Sequence, residues 1–244
     1  MRLGVVVVML AGCGRLGFDP HGATGDGAVG GDGVQQQGDG ASAGSGHGSV
    51  VQQSPVVTGN GTVVVPLPAP TQGGTFLVAT IAGNNIAMVM TPAGWSSNAT
   101  GSTTGACGAA ILTEPNAPSG QTMITFTINT PCAVQVTEWT GLTAVDNGGF
   151  TGTVAPSTSL AVSTIIADNF AGDLAIATFC QDTTMPVFTA GTGWSSLGQV
   201  AQAAALPSLV AEYQTGEPKA QVTATATSTV AAKYAGAMVT FQAP

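Results

Sequence analysis

Gln121-Thr122-Met123-Ile124-Thr125-Phe126-Thr127-Ile128 alternates apolar and hydroxylated residues from Ile124 onward. Successive side chains of an extended chain point to opposite faces, so Ile124, Phe126 and Ile128 share one face while Thr125 and Thr127 share the other. A helix would scatter the same residues around its circumference. The pattern returns in Ala220–Thr227, where Val222, Ala224 and Ala226 oppose Thr223, Thr225 and Thr227. Both segments are expected to be strands with one buried and one hydroxylated face.

Outward from these two, short β-branched runs are broken by Gly, Pro, Asn and Ser every ten or so residues from Val56 to the end, the signature of an all-β sandwich or barrel. Further strands are expected at Thr62–Pro66, Thr75–Ala82, Ala87–Thr91, Ala106–Thr113, Ala133–Thr140, Ser159–Ile165, Asp173–Cys180, Val187–Ala190, Pro207–Tyr213 and Gly236–Gln242. The best helical window, Val200 to Leu206, is short and stops at Pro207. The expected fold class is an antiparallel β-sandwich over residues 55–244.

The chain also repeats itself. Phe76-Leu77-Val78-Ala79-Thr80 is echoed by Leu174-Ala175-Ile176-Ala177-Thr178, Gly94-Trp95-Ser96-Ser97 by Gly193-Trp194-Ser195-Ser196, and Leu112-Thr113-Glu114 by Val210-Ala211-Glu212. The echoes lie about 98 or 99 residues apart and share one register, which predicts two pseudo-symmetric halves. A single sandwich built from both halves is favoured over two packed small ones.

Composition narrows the function. Charged residues make up 7% of the 244-residue chain, against about 25% in typical globular domains, and the net charge is −8. Arg2, Arg15, Lys219 and Lys233 are its only basic side chains besides histidine, so no basic patch exists to neutralise phosphates, and nucleic acid is excluded as a partner. The acidic balance would also repel an anionic lipid surface.

From Gly14 to about Ser54 the chain is Gly, Ala, Ser, Gln and Asp with almost no apolar residues, a composition that cannot bury enough surface to offset ordering entropy. Residues 13–54 are therefore expected to form a flexible tether, with a reach of roughly 30 to 40 Å. Asp26-Gly27, Asp32-Gly33 and Asp39-Gly40 within it lack the converging ligands and bidentate acid of a calcium loop, so no metal is expected.

Before the tether stand Met1-Arg2-Leu3, an apolar run from Gly4 to Met9, and Leu10-Ala11-Gly12-Cys13. A positive start, a short apolar stretch and small residues follow the order of a secretory signal. Leu10-Ala11-Gly12-Cys13 resembles a bacterial lipoprotein lipobox at all four positions. The resemblance implies that residues 1–12 are removed and that Cys13 carries the acyl chains, each buried methylene contributing about 0.8 kcal/mol to anchoring. Gly14 in place of aspartate implies delivery to the outer membrane.

A second resemblance covers about Val56 to Gln242. Gly94-Trp95-Ser96, Val136-Thr137-Glu138-Trp139-Thr140-Gly141-Leu142, Thr189-Ala190-Gly191-Thr192-Gly193-Trp194 and Ala211-Glu212-Tyr213 are similar to segments of an uncharacterised β-sandwich module of secreted and surface bacterial proteins. It implies a jelly-roll-like fold and surface deployment, and no activity.

Catalytic chemistry finds little support. His21 and His47 both precede residue 55, which leaves a triad without its base. Lys219 and Lys233 fall in no Ser-x-x-Lys motif. No two cysteines have zinc-finger spacing. Among the carboxylates Glu138 stands out, because by alternation it shares an inward face with Val134 and Val136. Its ordinary role would be a structural hydrogen bond, its alternative an acid with a raised pKa. Trp95, Trp194 and Tyr213 are candidates for stacking on sugar rings, although end-plugging of the sandwich is the commoner use of such rings, and both tryptophans are expected to be buried.

Cys107, Cys132 and Cys180 remain after Cys13. Two strand reversals bring Cys107 and Cys132 to the same end of a sheet, so a Cys107–Cys132 disulfide is expected. The reading is an exported, lipid-anchored β-sandwich with no cofactor and a non-catalytic role. Binding of carbohydrate, surface polymer or another surface protein leads; a structural module of the envelope is second; a glycan-cleaving enzyme with paired carboxylates is third.

Overall fold

The computed structural model describes residues 47–244, apart from 85, 87, 88, 104–106, 154, 170–172, 202–206 and 218. The signal segment, Cys13 and the tether up to residue 46 lie outside the described residues, as does most of the Val200–Leu206 window. The described residues form strands and no α-helix.

The first half contains β1 (Ser49–Gln53), β2 (Val57–Pro66), β3 (Phe76–Gly83), β4 (Val89–Met90), β5 (Ser96–Ser102), β6 (Gly108–Glu114) and β7 (Met123–Thr140). The second contains β8 (Ala144–Gly152), β9 (Ser157–Ser163), β10 (Asp173–Gln181), β11 (Phe188–Ala190), β12 (Ser195–Val200), β13 (Ser208–Glu217), β14 (Thr223–Ala232) and β15 (Tyr234–Gln242). β1 corrects the expected boundary: the last residues assigned to the tether pair with β7, Ser49 opposite Thr140 and Gln53 opposite Thr137.

The halves share one topology. The larger sheet of the first half runs β1-β7-β3-β6-β5, and that of the second runs β8-β15-β10-β13-β12, all antiparallel. β2 and β4 pair with the N-terminal part of β7, just as β9 and β11 flank β14. The 18-residue β7 therefore serves both layers of its half, whereas its counterpart is broken at Lys233 into β14 and β15.

Three cores follow from this layering. Ile124, Phe126 and Ile128, on the face expected from alternation, join Leu77, Leu112, Val134, Val136 and Trp95 inside the first half. Val222, Ala224 and Ala226 join Ala175, Phe179, Val210 and Trp194 inside the second. Opposite faces of the two larger sheets bury Phe76, Trp139, Leu174, Ile176 and Phe241 between the halves. Phe76 and Phe241 meet edge to face there, with centroids 5.9 Å apart. A buried ring of this kind removes about 150–250 Å² from water, roughly 4–6 kcal/mol at 25 cal/mol per Å². The architecture is an antiparallel β-sandwich with two pseudo-symmetric halves: each half encloses a core of its own, and the two larger sheets pack face to face over a third.

Small residues set how closely the halves pack. A Cβ on Gly101 would lie 2.4 Å from the carbonyl oxygen of Gly236 and 2.6 Å from that of Thr151, so the backbone of β5 touches that of β15 and β8. Stacked sheets usually stand about 10 Å apart, and only glycine permits this approach.

Candidate functional site

The sequence candidates do not converge. Trp95 lies in the core of the first half, 8% exposed and edge to face with Phe126 at 5.3 Å; Trp194 lies in that of the second, 9% exposed. Neither presents a face to a ligand. Each follows a glycine with positive φ, Gly94 at 86° and Gly193 at 84°, the turn conformation that swings the ring back over its own sheet. Tyr213 is half-buried and packs edge to face on Trp139, centroids 5.4 Å apart.

Glu138 is fully buried and hydrogen-bonded on both oxygens. The Gln72 backbone N–H and the Thr75 hydroxyl each donate to Oε1 at 2.7 Å, and the Gln52 amide donates to Oε2. These partners tie β1 and the segment between β2 and β3 onto β7, the structural use of a buried carboxylate.

The Cys107–Cys132 disulfide is corrected: all three cysteines in the described domain are free thiols. Both cysteines do come to one end of the sheet, since Gly83 of β3 pairs with Cys132 on one side and with Gly108 on the other. They face opposite ways. Cys107 points into the core between the halves and Cys132 into the core of the first half, where its thiol donates to the Gly59 carbonyl at 3.4 Å. Burial raises the Cys132 pKa to about 11.

Strand pairing also moves one echo. Ser96 pairs with Thr113 and Ser195 with Tyr213, so Glu114 corresponds to Gln214, and Glu212 to Leu112. A carboxylate thus occupies an apolar position of the first half. Glu212 is fully buried; the Gly191 N–H donates to its Oε2 at 3.1 Å, Oε1 accepts nothing, and burial pushes its pKa up to about 7. Glu114 is also pushed up by burial, opposed by the Trp95 indole N–H that donates to it. Asp168, 2% exposed, accepts from the Thr240 hydroxyl at 3.0 Å while its Oδ2 accepts nothing; burial and, to a lesser degree, the charge of Asp146 raise its pKa.

The open ground lies along the seam where β5 of the first half meets β8 of the second. A groove of about 290 Å³ runs between Ser97, Asn98 and Thr100 on one side and Asn147, Gly148, Gly149 and Phe150 on the other, with Ile165 at its margin. A second hollow of about 280 Å³, holding Ser96, Thr113 and Val145, shares Asn98 with it. The Asn147 amide donates to the Ile166 carbonyl at 2.7 Å and its oxygen accepts from the Gly148 N–H at 2.7 Å, which fixes one wall. The Ser97 and Thr100 hydroxyls lie 3.2 Å apart on the other. Among the described residues Phe150, 60% exposed, is the one aromatic ring open to solvent, and Ile165 and Ile166 beside it are 66% and 58% exposed. No ionisable side chain lines either hollow. Sequence reading missed this site because Phe150 stands alone in Asn147-Gly148-Gly149-Phe150-Thr151-Gly152, a stretch without strand alternation.

A groove of amides, hydroxyls, bare glycine backbone and one ring suits hydrogen bonding and stacking, not proton transfer. Compared with known proteins, the chain matches no family model, no curated protein and no solved structure.

Proposed function

We propose that this protein is a lipid-anchored envelope lipoprotein whose paired, jelly-roll-like sandwiches bind a neutral polymer, carbohydrate in class, along the β5–β8 seam without catalysis. The observation that carries the reading is the exposed Phe150 ring at the edge of a groove lined by Ser97, Asn98, Thr100 and Asn147. Rings stack on the apolar faces of sugars while amides and hydroxyls meet their hydroxyl groups, and a groove without charge has no means to favour an ionic ligand. The jelly-roll description is supported by the strand order: counted within the second half, the larger sheet runs 1-8-3-6-5 and the smaller 2-7-4. The anchor is supported by Leu10-Ala11-Gly12-Cys13, and by a folded domain with too few cations to hold an anionic membrane.

A glycan array probed with the purified chain tests the ligand class. Neutral glycans are expected to be retained, and Phe150→Ala to weaken them about tenfold or more, the equivalent of about 1.4 kcal/mol. A blank array, or binding indifferent to Phe150→Ala, overturns the groove. Palmitate labelling in cells tests the anchor: Cys13→Ser should abolish both the label and membrane fractionation.

One observation favours a structural role as the second reading. On β14 the exposed positions are Thr223, Thr225, Thr227, Thr229 and Ala231, small and mostly hydroxylated, while Ala224 and Ala226 between them are sealed in the core. A surface of this kind suits inert packing in an envelope layer.

A further inference from the structure

The two hollows of the β5–β8 seam are lined differently. Phe150 and Ile165 border the first, and most of the rest of its wall is hydroxyl, amide and glycine backbone. The second is walled by Phe76, Pro115 and Val145, with Ser96, Asn98 and Thr113 as its polar members. Phe76 is buried edge to face on Phe241, and Val145 packs against the same core, so this apolar wall is anchored from below.

Asn98 belongs to both hollows. It sits in the bulge between Ser97 and Ala99, the kind of irregularity that re-aims a side chain. Its amide oxygen accepts from the Thr113 hydroxyl at 3.0 Å, which leaves the NH2 end of the amide to donate and the Thr113 oxygen to accept. A donor, an acceptor and an apolar wall thus meet at a hollow of about 280 Å³, smaller than the roughly 300–1,000 Å³ of sites that enclose a whole small molecule. Together the hollows follow the seam from Ser96 to Thr100 on β5 and from Val145 to Phe150 on β8. At about 3.3 Å per residue that is roughly 13 to 17 Å, a length for a run of linked units and not for one ring.

We propose that the ligand of the groove is a chain of N-acetylated sugars, one unit stacking on Phe150 while the acetamido group of another enters the second hollow. The assignment rests on the groove reading and narrows it. The acetyl methyl meets Phe76, Pro115 and Val145, its carbonyl accepts from the Asn98 amide, and its N–H donates to the Thr113 or Ser96 hydroxyl. A plain sugar hydroxyl would leave the apolar wall facing water, and the methyl of a deoxy sugar would leave the donor and acceptor unpaired. A free ammonium or carboxylate fits worse, because no ionisable side chain lines either hollow to offset its lost hydration.

Titration calorimetry of the purified chain with an N-acetylglucosamine tetramer, and with a glucose tetramer of the same linkage, tests this. The acetylated tetramer is expected to bind about tenfold or more tighter. Ser96→Leu, at an exposed position where the larger side chain fills the second hollow, should bring it down to the level of the glucose tetramer, while Phe150→Ala should weaken both alike. Equal affinity for the two tetramers overturns the acetamido assignment, and if both still respond to Phe150→Ala the groove stands without it. An acetyl preference that survives Ser96→Leu overturns it too, by placing the selection outside the second hollow. Binding of neither tetramer overturns it as well; retention of other neutral glycans on the array would then keep the groove, and a blank array would remove both.

Discussion

The repeat creates two related seams, and they are finished differently. At the β1–β12 seam Leu197 turns into the shared core, and its carbonyl accepts amide hydrogens from Gln53 and from Gln135, the latter at 3.1 Å. At the β5–β8 seam the residue in the matching bulge is Asn98, whose side chain lines both hollows and accepts from the Thr113 hydroxyl at 3.0 Å. One seam is plugged with a leucine and glutamines; the other is left open around an asparagine. Duplication supplies the same backbone twice, and a few side chains decide which copy is mortar and which is a groove.

The sharpest way to break the symmetry of the halves is through their tryptophans. Trp95→Ala and Trp194→Ala should each cost about 3 to 5 kcal/mol, with Trp95 at the upper end because it also forfeits the edge-to-face contact with Phe126. Urea unfolding of the two variants checks this, and a stability-neutral change at either site would mean that its half holds together without the ring.

Glu212 distinguishes the halves through pH. Its pKa in the folded protein is about 7 against an ordinary 4.5, so the folded state holds its proton more tightly than the unfolded chain does. Stability is then greatest below pH 4.5, falls as pH rises to about 7, and levels off above, a loss of up to roughly 3 kcal/mol. Glu212→Gln should remove this slope, matching the wild type near pH 4 and exceeding it at pH 8. Melting curves across that range that stay parallel would refute the account.

Exchanging the seam residues comes next. Leu197→Asn buries an amide in an apolar core and should cost about 2 kcal/mol. Asn98→Leu should change stability by no more than about 0.5 kcal/mol, since Asn98 is not sealed in, while closing the groove to ligand. Stability and glycan retention measured on both variants should thus move in opposite patterns.

The smallest contrast lies at matching strand positions, where the first half has Glu138 and the second Thr240. Glu138→Gln replaces an acceptor of three hydrogen bonds with a group half of which donates, at a cost of about 1 to 2 kcal/mol. Asp168→Asn, at a carboxylate whose Oδ2 has no partner, should be neutral or slightly stabilising at neutral pH. Chemical denaturation resolves the two.

How much of this was legible depends on where a strand sits. Central strands β3, β6, β7, β10, β13 and β15 are buried runs or clean alternations, and the sequence shows them. β1, β5, β8 and β12 went unread, and they are the outermost strands of the two larger sheets. Edge strands answer to neighbours on one side only, so they tolerate glycine, asparagine and bulges such as those between Ser97 and Ala99 and between Ser196 and Gly198. The groove is walled by two of these strands, which is why it too was hidden.

Read alone, the amino-acid order determined the all-β class, the duplication, the inward faces of Thr122–Ile128 and Ala220–Thr227, and the burial of Trp95 and Trp194. These rest on local periodicity and on large apolar rings that water excludes wherever the chain leads them. Tertiary structure alone decided that each half encloses a core of its own, that Cys107 and Cys180 lie in the core between the halves while Cys132 turns into that of the first half, and that Glu212 lies where its counterpart is a leucine. Each of those depends on strand register and sheet face, and a shift of a single residue between paired strands reverses every side chain without altering the sequence at all.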